Sequence, residues 1–296
     1  MYSNLQDEVP LVKMLNRQDP YEKYHIVKIK EDFMWRNCQL VVFEWLPINL
    51  CQLIKQNNHI GESLEFTRNI GMQIAKTLKF FSLRGIKVIH CNLKPENIFF
   101  CENSKEVKLV GFGLSCQYGK KYYKKIQSMS YRSPEIILGN FYDYSVDVWS
   151  LGCILMEIHT GQVLFNSKNE VDLMIEIVEL LGMPPKSFLV RSSETSKYFN
   201  KLPNGSYKLN DPKNGPNSRK LHEIIGVFNG RSKGRIFDVD HSKSDYLKFE
   251  DLIKQMLEWD PLKRIKPVKI LEHDFFKIKT VKNWAALTPR SFALGP

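Results

Sequence analysis

The chain has 296 residues, 43% apolar and 25% charged, with a formal charge of +11. That is ordinary for a globular protein of one large domain or two modest ones. No stretch approaches the roughly 18 apolar residues of a membrane span, and residues 1–10 carry Asp7 and Glu8 with no apolar core, which argues against a signal peptide.

Taken in chain order, residues 4–17 predict a helix, with Leu5, Val9, Val12 and Leu15 at helical spacing and Pro10 shortening or kinking it. Strand-like runs follow at 25–30 and 39–44. Residues 47–56 predict a short helix beginning at Pro47. Residues 63–83 predict a long amphipathic helix capped by Ser63, with Phe66, Ile70, Ile74, Leu78 and Phe81 in its apolar stripe. Short strands are expected at 88–89, 98–101 and 107–110, then a loop-rich segment from 111 to 135. Residues 145–160 are apolar all round, which predicts a buried helix, closed by Gly161. A further helix covers 169–181 and stops at Gly182 and Pro184. Residues 184–245, rich in Ser, Asn, Gly and Pro, predict a loop-dominated insert. Helices return at 246–259 and 268–276, and 277–296 form a basic tail.

The six cysteines form no CxxC pair, which points to a reducing compartment and away from zinc or a disulfide framework. The charge favours anionic partners. The lysines are nevertheless spread out, and the densest cluster is Lys120, Lys121, Lys124 and Lys125. Solvated charge accounts for that cluster, with docking of an acidic partner as the sharper alternative. Nucleic acid is not expected as a partner, since no DNA- or RNA-reading signature is present.

The chemistry is concentrated in a few motifs. His90-Cys-Asn-Leu-Lys-Pro-Glu-Asn97 resembles the protein kinase catalytic loop, H-R-D-L-x-x-x-N, in which one short loop holds a base, a lysine and a metal-binding asparagine around a phosphoryl group. Lys94 and Asn97 stand where the pattern wants them, but Asn92 replaces the catalytic aspartate. Gly111-Phe-Gly113 resembles the DFG element, with Gly111 in place of the magnesium-binding aspartate. Ser133-Pro-Glu135 resembles the A-P-E element, and Arg264 matches the arginine that pairs with its glutamate. Asp147-Val-Trp-Ser-Leu-Gly152 resembles the buried helix of the large lobe. These motifs occur in kinase order and at kinase spacing. Cys91, Ser115-Cys116, Ile126-Gln-Ser128, Asn169-Glu-Val-Asp172 and Asp245-Tyr-Leu-Lys-Phe249 narrow the resemblance to the dual-specificity tyrosine-regulated (DYRK) kinases of the CMGC group, from about residue 8 to Phe276.

The resemblance implies a role for each matching residue. Glu8 is the helix-C glutamate, Phe43 the gatekeeper, and Glu44 to Leu46 the hinge, read as an adenine site or as an apolar seam between lobes. His90 supports the catalytic loop. In the activation segment the family carries Y-x-Y, whose second tyrosine is phosphorylated. Here the run is Tyr123-Lys-Lys125, and Met129 replaces an arginine of the type that pairs with that phosphate. Neither a G-x-G-x-x-G loop nor its strand lysine occurs in the sequence. Val27-Lys-Ile-Lys30 follows the helix of Glu8, whereas the family's lysine precedes it, so the chain is expected to begin inside the small lobe.

The expected fold is α+β: a protein-kinase-like fold with a truncated small β-rich N-lobe (1–46), a large mainly helical C-lobe (47–276, with the insert at about 184–245) and the basic tail. The expected function is that of a pseudokinase, a binding or scaffolding module for protein partners. ATP and magnesium are implied as cofactors for an active enzyme. For the pseudokinase, nucleotide binding is expected to be weak or absent. The other readings are an active serine/threonine/tyrosine kinase whose N-terminal segment is missing from this sequence, and a truncated gene relic. The setting is intracellular, nucleus or cytoplasm, with no membrane span.

Overall fold

The computed structural model describes residues 5–102, 104–119, 123, 125–228 and 241–278. Lys120, Lys121 and Lys124 of the basic cluster, part of the insert and residues 279–296 of the tail lie outside the described residues.

The chain opens with α1 (Leu5–Gln18), which buries Val9, Val12 and Leu15 on one stripe. Pro10 does not end it. It sits on the exposed side, where the cost is mainly its missing donor. A hairpin follows, β1 (Ile29–Trp35) antiparallel to β2 (Cys38–Phe43). Arg36 and Asn37 join the strands with φ of 46° and 62°, the left-handed pair that a two-residue hairpin turn requires.

The first strand is therefore shifted from the expected 25–30. His25, at φ 57°, breaks the extended run there. Residues 25–27 instead bracket Leu109, whose N–H donates to the His25 carbonyl (2.8 Å) while its own carbonyl accepts from Val27 (3.0 Å).

Next come β3 (Ile48–Asn49) and α2 (Leu50–Gln56). The helix begins at Leu50 rather than Pro47, because Asn49 and Gln52 form a reciprocal capping box. The long helix α3 (Leu64–Phe81) starts as expected, with the Ser63 hydroxyl accepting from the Phe66 N–H at 3.1 Å. β4 (Val88–Ile89), β5 (Ile98–Phe100) and β6 (Val107–Leu109) then lead to β7 (Cys116–Gln117). β5 is central to a small sheet ordered β3-β5-β6, and β4 pairs with β7. These short ladders flank the catalytic-loop motif on both sides.

Beyond α4 (Pro134–Ile137), α5 (Ser145–Thr160) is the axis of the helical part, packed against α3 and buried on every side through His159. Gly161 caps it at φ 73°, where an added Cβ would lie 2.0 Å from the His59 carbonyl oxygen. α6 (Glu170–Leu181) is capped by Asn169. The insert is less loop-dominated than expected: it contains α7 (Lys186–Val190), α8 (Thr195–Tyr198), a hairpin of β8 (Phe199–Lys201) and β9 (Tyr207–Leu209), and α9 (Leu221–Ile225). Such four- and five-residue elements are too short for a periodicity to register. α10 (Lys243–Met256) begins earlier than 246 because Ser242 and Asp245 form a capping box. The last expected helix is instead α11 (Pro267–Ile270) followed by a 3-10 turn at Asp274–Lys277.

Candidate active site

The loop after β4 is fixed from beneath by α5. The Asp147 carboxylate accepts from the backbone N–H of His90 (2.7 Å) and of Cys91 (3.0 Å). Burial pushes the Asp147 carboxyl up to about 7, against the pull of those two donors. The fully buried His90 ring places Nε2 3.1 Å from the Val110 carbonyl, while Nδ1 lies 3.3 Å from the Asn92 N–H. Nε2 is therefore the protonated nitrogen and Nδ1 the acceptor. Burial holds this imidazole down at about 4, so it is neutral and structural near pH 7.

An aromatic line continues upward. His90 meets Phe112 edge-on at 5.0 Å, and Phe112 meets Phe81 of α3 at 6.0 Å. The Phe112 N–H donates to Glu8 Oε1 (2.9 Å), which docks α1 onto the Gly111-Phe-Gly113 turn. Burial raises the Glu8 carboxyl, and the Phe112 hydrogen bond opposes that.

Four positions then define the reacting centre of a kinase-like site, and here two of them, Asn92 and Asn97, have their side chains tied into the protein. Asn92 Oδ1 accepts from the Ser128 hydroxyl (3.1 Å), and the Asn92 carbonyl accepts from Asn97 Nδ2 (2.8 Å). Gly111 adopts φ 80°, ψ 54°, a left-handed conformation that glycine enters without strain. A Cβ there would stand 2.9 Å from Cγ, Nδ2 and Oδ1 of Asn97. The asparagine side chain thus lies where a side chain at 111 would begin. Lys94 lines the neighbouring cavity and makes no ion pair with a described residue.

This arrangement does not fit magnesium. A hard divalent cation wants carboxylate and phosphate oxygens. The cleft offers the Asn97 amide and the Glu8 carboxylate, whose Oε1 already accepts from the Phe112 N–H. The adenine side fits better. Phe43, Glu44 and Leu46 line a cavity of about 270 Å³ together with Val27, Phe99 and Val110, an apolar slot of the kind that accepts a flat ring. The Glu44 carboxylate faces away from a ligand role: both its oxygens accept from Lys108 (2.7 Å each), and Oε1 also accepts from the Lys28 N–H. Lys108 in turn pairs with Glu22 at 2.6 Å, which pulls the Glu22 carboxyl down to about 2. This hinge network joins residues 64 and 86 positions apart, and no local sequence signal marks it.

In the activation segment, the Tyr123 N–H donates to the Tyr142 hydroxyl at 3.0 Å. Lys125 is exposed on the cavity of Lys94. Glu135 and Arg264 form a fully buried bidentate pair (2.6 and 2.9 Å), with Arg264 stacked 5.2 Å from the Trp149 ring. The residues that line the cleft thus meet there, whereas His90, Asp147, Glu135 and Arg264 support it from below and Tyr123 faces two other cavities. Sequence reasoning missed the partner of Asn92, Ser128, and the closeness of two buried thiols, Cys91 and Cys116, at 3.7 Å. Both were visible only as family markers.

This fold, with a catalytic-type loop anchored on a buried helix and a cleft beneath a small β-rich piece, defines a protein kinase domain. The protein kinase domain family matches residues 2–276, and the chain belongs to that family. Its relatives are of the DYRK type. It is 35% identical over 90% of its length to the human dual specificity tyrosine-phosphorylation-regulated kinase 4, covering 48% of that protein. It is 37% identical over 95% of its length to the probable serine/threonine-protein kinase dyrk2 of Dictyostelium discoideum, covering 29%. It is 35% identical over 93% of its length to the serine/threonine-protein kinase ppk15 of Schizosaccharomyces pombe, covering 54%. The chain therefore spans about half or less of the length of these relatives. No helix among the described residues is long and apolar enough to cross a membrane.

Proposed function

We propose that this chain is a pseudokinase, a kinase-fold module that binds or scaffolds protein partners without transferring phosphate. The observation that carries the reading is the packing at Gly111, where the Asn97 side chain stands in the space a metal-binding side chain would enter. Asn92 adds to it, since an amide held by Ser128 accepts no proton near pH 7. A missing positioned base alone costs roughly 10²–10⁴ in rate. A protein partner is favoured by the outer face of the β1–β2 hairpin, where Phe33, Trp35, Leu40 and Val42 form an exposed apolar patch. Six free cysteines without a disulfide suit an intracellular setting.

The test is a thermal-shift titration with ATP, with and without magnesium, beside a phosphotransfer assay on a generic basic substrate. We expect no magnesium-dependent rise in melting temperature and no transfer. Turnover that needs magnesium would overturn the reading in favour of an active kinase.

A further inference from the structure

Loss of the two carboxylates changes what the cleft attracts. Between the catalytic loop and the activation segment lies a cavity of about 440 Å³ whose lining includes Asn92, Lys94, Lys125, Arg132 and Glu8. Relative to the family pattern, Asn92 and Gly111 each remove a negative charge here and Lys125 adds a positive one. The three local changes point the same way.

The partners of the lining groups sharpen this. The Arg132 guanidinium is already committed, to Glu170 (2.8 Å) and to the carbonyls of Ile126 and Gln127. Glu8, the one carboxylate among the lining residues, spends Oε1 on the Phe112 N–H. By contrast, neither the Lys94 nor the Lys125 ammonium has a hydrogen-bond or ion-pair partner among the described residues. The Asn92 carboxamide uses its oxygen on Ser128, and its Nδ2 has no partner among the described residues. Among the described residues the cavity therefore presents two unpaired cations and an amide donor set, opposed by one engaged carboxylate. Partly enclosed charges of one sign concentrate their counter-ion.

We propose that this cavity is a metal-independent binding site for a phosphate monoester, carried by a phosphorylated serine or threonine side chain or by a nucleotide. Lys94 and Lys125 would supply the charge and the Asn92 amide a hydrogen bond. The proposal rests on the pseudokinase reading, because a metal held at this place would compete for the same phosphate oxygens.

The test uses the full chain in EDTA and measures the affinity of paired probes by fluorescence anisotropy and calorimetry. One pair is the pentapeptide Ala-Ala-phosphothreonine-Ala-Ala and its unphosphorylated form. The other is AMP and adenosine. We expect the phosphorylated member of at least one pair to bind tenfold or more tightly than its counterpart, and the pair that shows it names the source. The preference should weaken with added salt and disappear in the double variant Lys94→Met/Lys125→Met. It should survive in Lys201→Ala/Lys208→Ala, which lowers the net charge equally on exposed sites in the β8–β9 hairpin. No preference in either pair would overturn the proposal, as would a preference that the first double variant retains or one that only magnesium brings out. Magnesium-dependent phosphotransfer by the same preparation would instead sink the pseudokinase reading, so the two failures are told apart.

Discussion

Replacing Gly111 with alanine is the most direct probe of how the cleft is built. The backbone there stays left-handed, at φ 80° and ψ 54°, which costs a residue with a Cβ roughly 1–2 kcal/mol. The new methyl would also lie 2.9 Å from three atoms of the Asn97 carboxamide, so that side chain must shift. Its hydrogen bond to the Asn92 carbonyl would be lost, at about 0.5–1.5 kcal/mol. Together these give about 1.5–3.5 kcal/mol of destabilisation, measured by urea denaturation with tryptophan fluorescence as the readout. The contact also predicts non-additivity. In Gly111→Ala/Asn97→Ala the methyl has no carboxamide to displace, so the double variant should cost about 1 kcal/mol less than the sum of the single ones. A loss below about 0.5 kcal/mol for Gly111→Ala, the range of an ordinary surface change, would refute the reasoning. Strict additivity would leave the strain but remove the packing argument.

Arg264→Leu should destabilise by about 3–5 kcal/mol, because it leaves the Glu135 carboxylate buried and unpaired. Glu135→Leu/Arg264→Leu should recover part of that loss in the same denaturation assay. A double variant worse than the single one would mean that the Trp149 stacking and the carbonyl contacts of Arg264 outweigh the ion pair. The buried His90 predicts a pH dependence. Its folded value of about 4 lies below the ordinary 6.5, so the unfolded chain binds the proton first. The contribution of neutral His90 is complete above pH 6.5 and is lost as pH falls from there through 4, to a total of about 3 kcal/mol. Because burial shifts Asp147 and Glu157 in the opposite sense, the check is the difference between the parent and His90→Gln across this range. A difference that does not change with pH would contradict the neutral-imidazole assignment.

How much of this was legible in the sequence follows from the range of the interactions. The catalytic-loop and Gly111-Phe-Gly113 motifs are short runs with fixed spacing, and they could be placed without coordinates. The capped helices α3, α5 and α6 were legible for the same reason, since Ser63, Gly161 and Asn169 act within one turn of themselves. The first strand was misplaced because the apolar run at 25–30 looks extended. Its members are instead split between a bridge to Leu109 and the start of a hairpin whose register is set by Arg36 and Asn37. What could not be read is how long-range neighbours share space. The sequence tells that Gly111 lacks a carboxylate. Only the fold tells that Asn97 has closed over it and that Glu44, placed on the hinge, is held by Lys108 rather than turned toward a ligand.

The pattern of retained and altered residues has a physical logic that bears on why such a chain would persist. Asn92 and Gly111 stand at the partly exposed wall of the cleft, where exchanging a carboxylate for a neutral group removes chemistry but no packing. Asp147, Glu135 and Arg264 are buried, and each would leave an uncompensated polar group if its partner changed. Unselected decay does not distinguish these two classes. In this chain all three nitrogens of the Arg264 guanidinium still find acceptors, in Glu135, Ser145 and Glu258. The His90, Phe112 and Phe81 rings remain in contact from the loop to α3. A surface that binds partners needs this frame to hold its shape. Phosphoryl transfer needs, in addition, the carboxylates that are gone. On the proposed reading as a binding module, the buried frame is the part that must stay intact and the cleft carboxylates are the part that can be dispensed with.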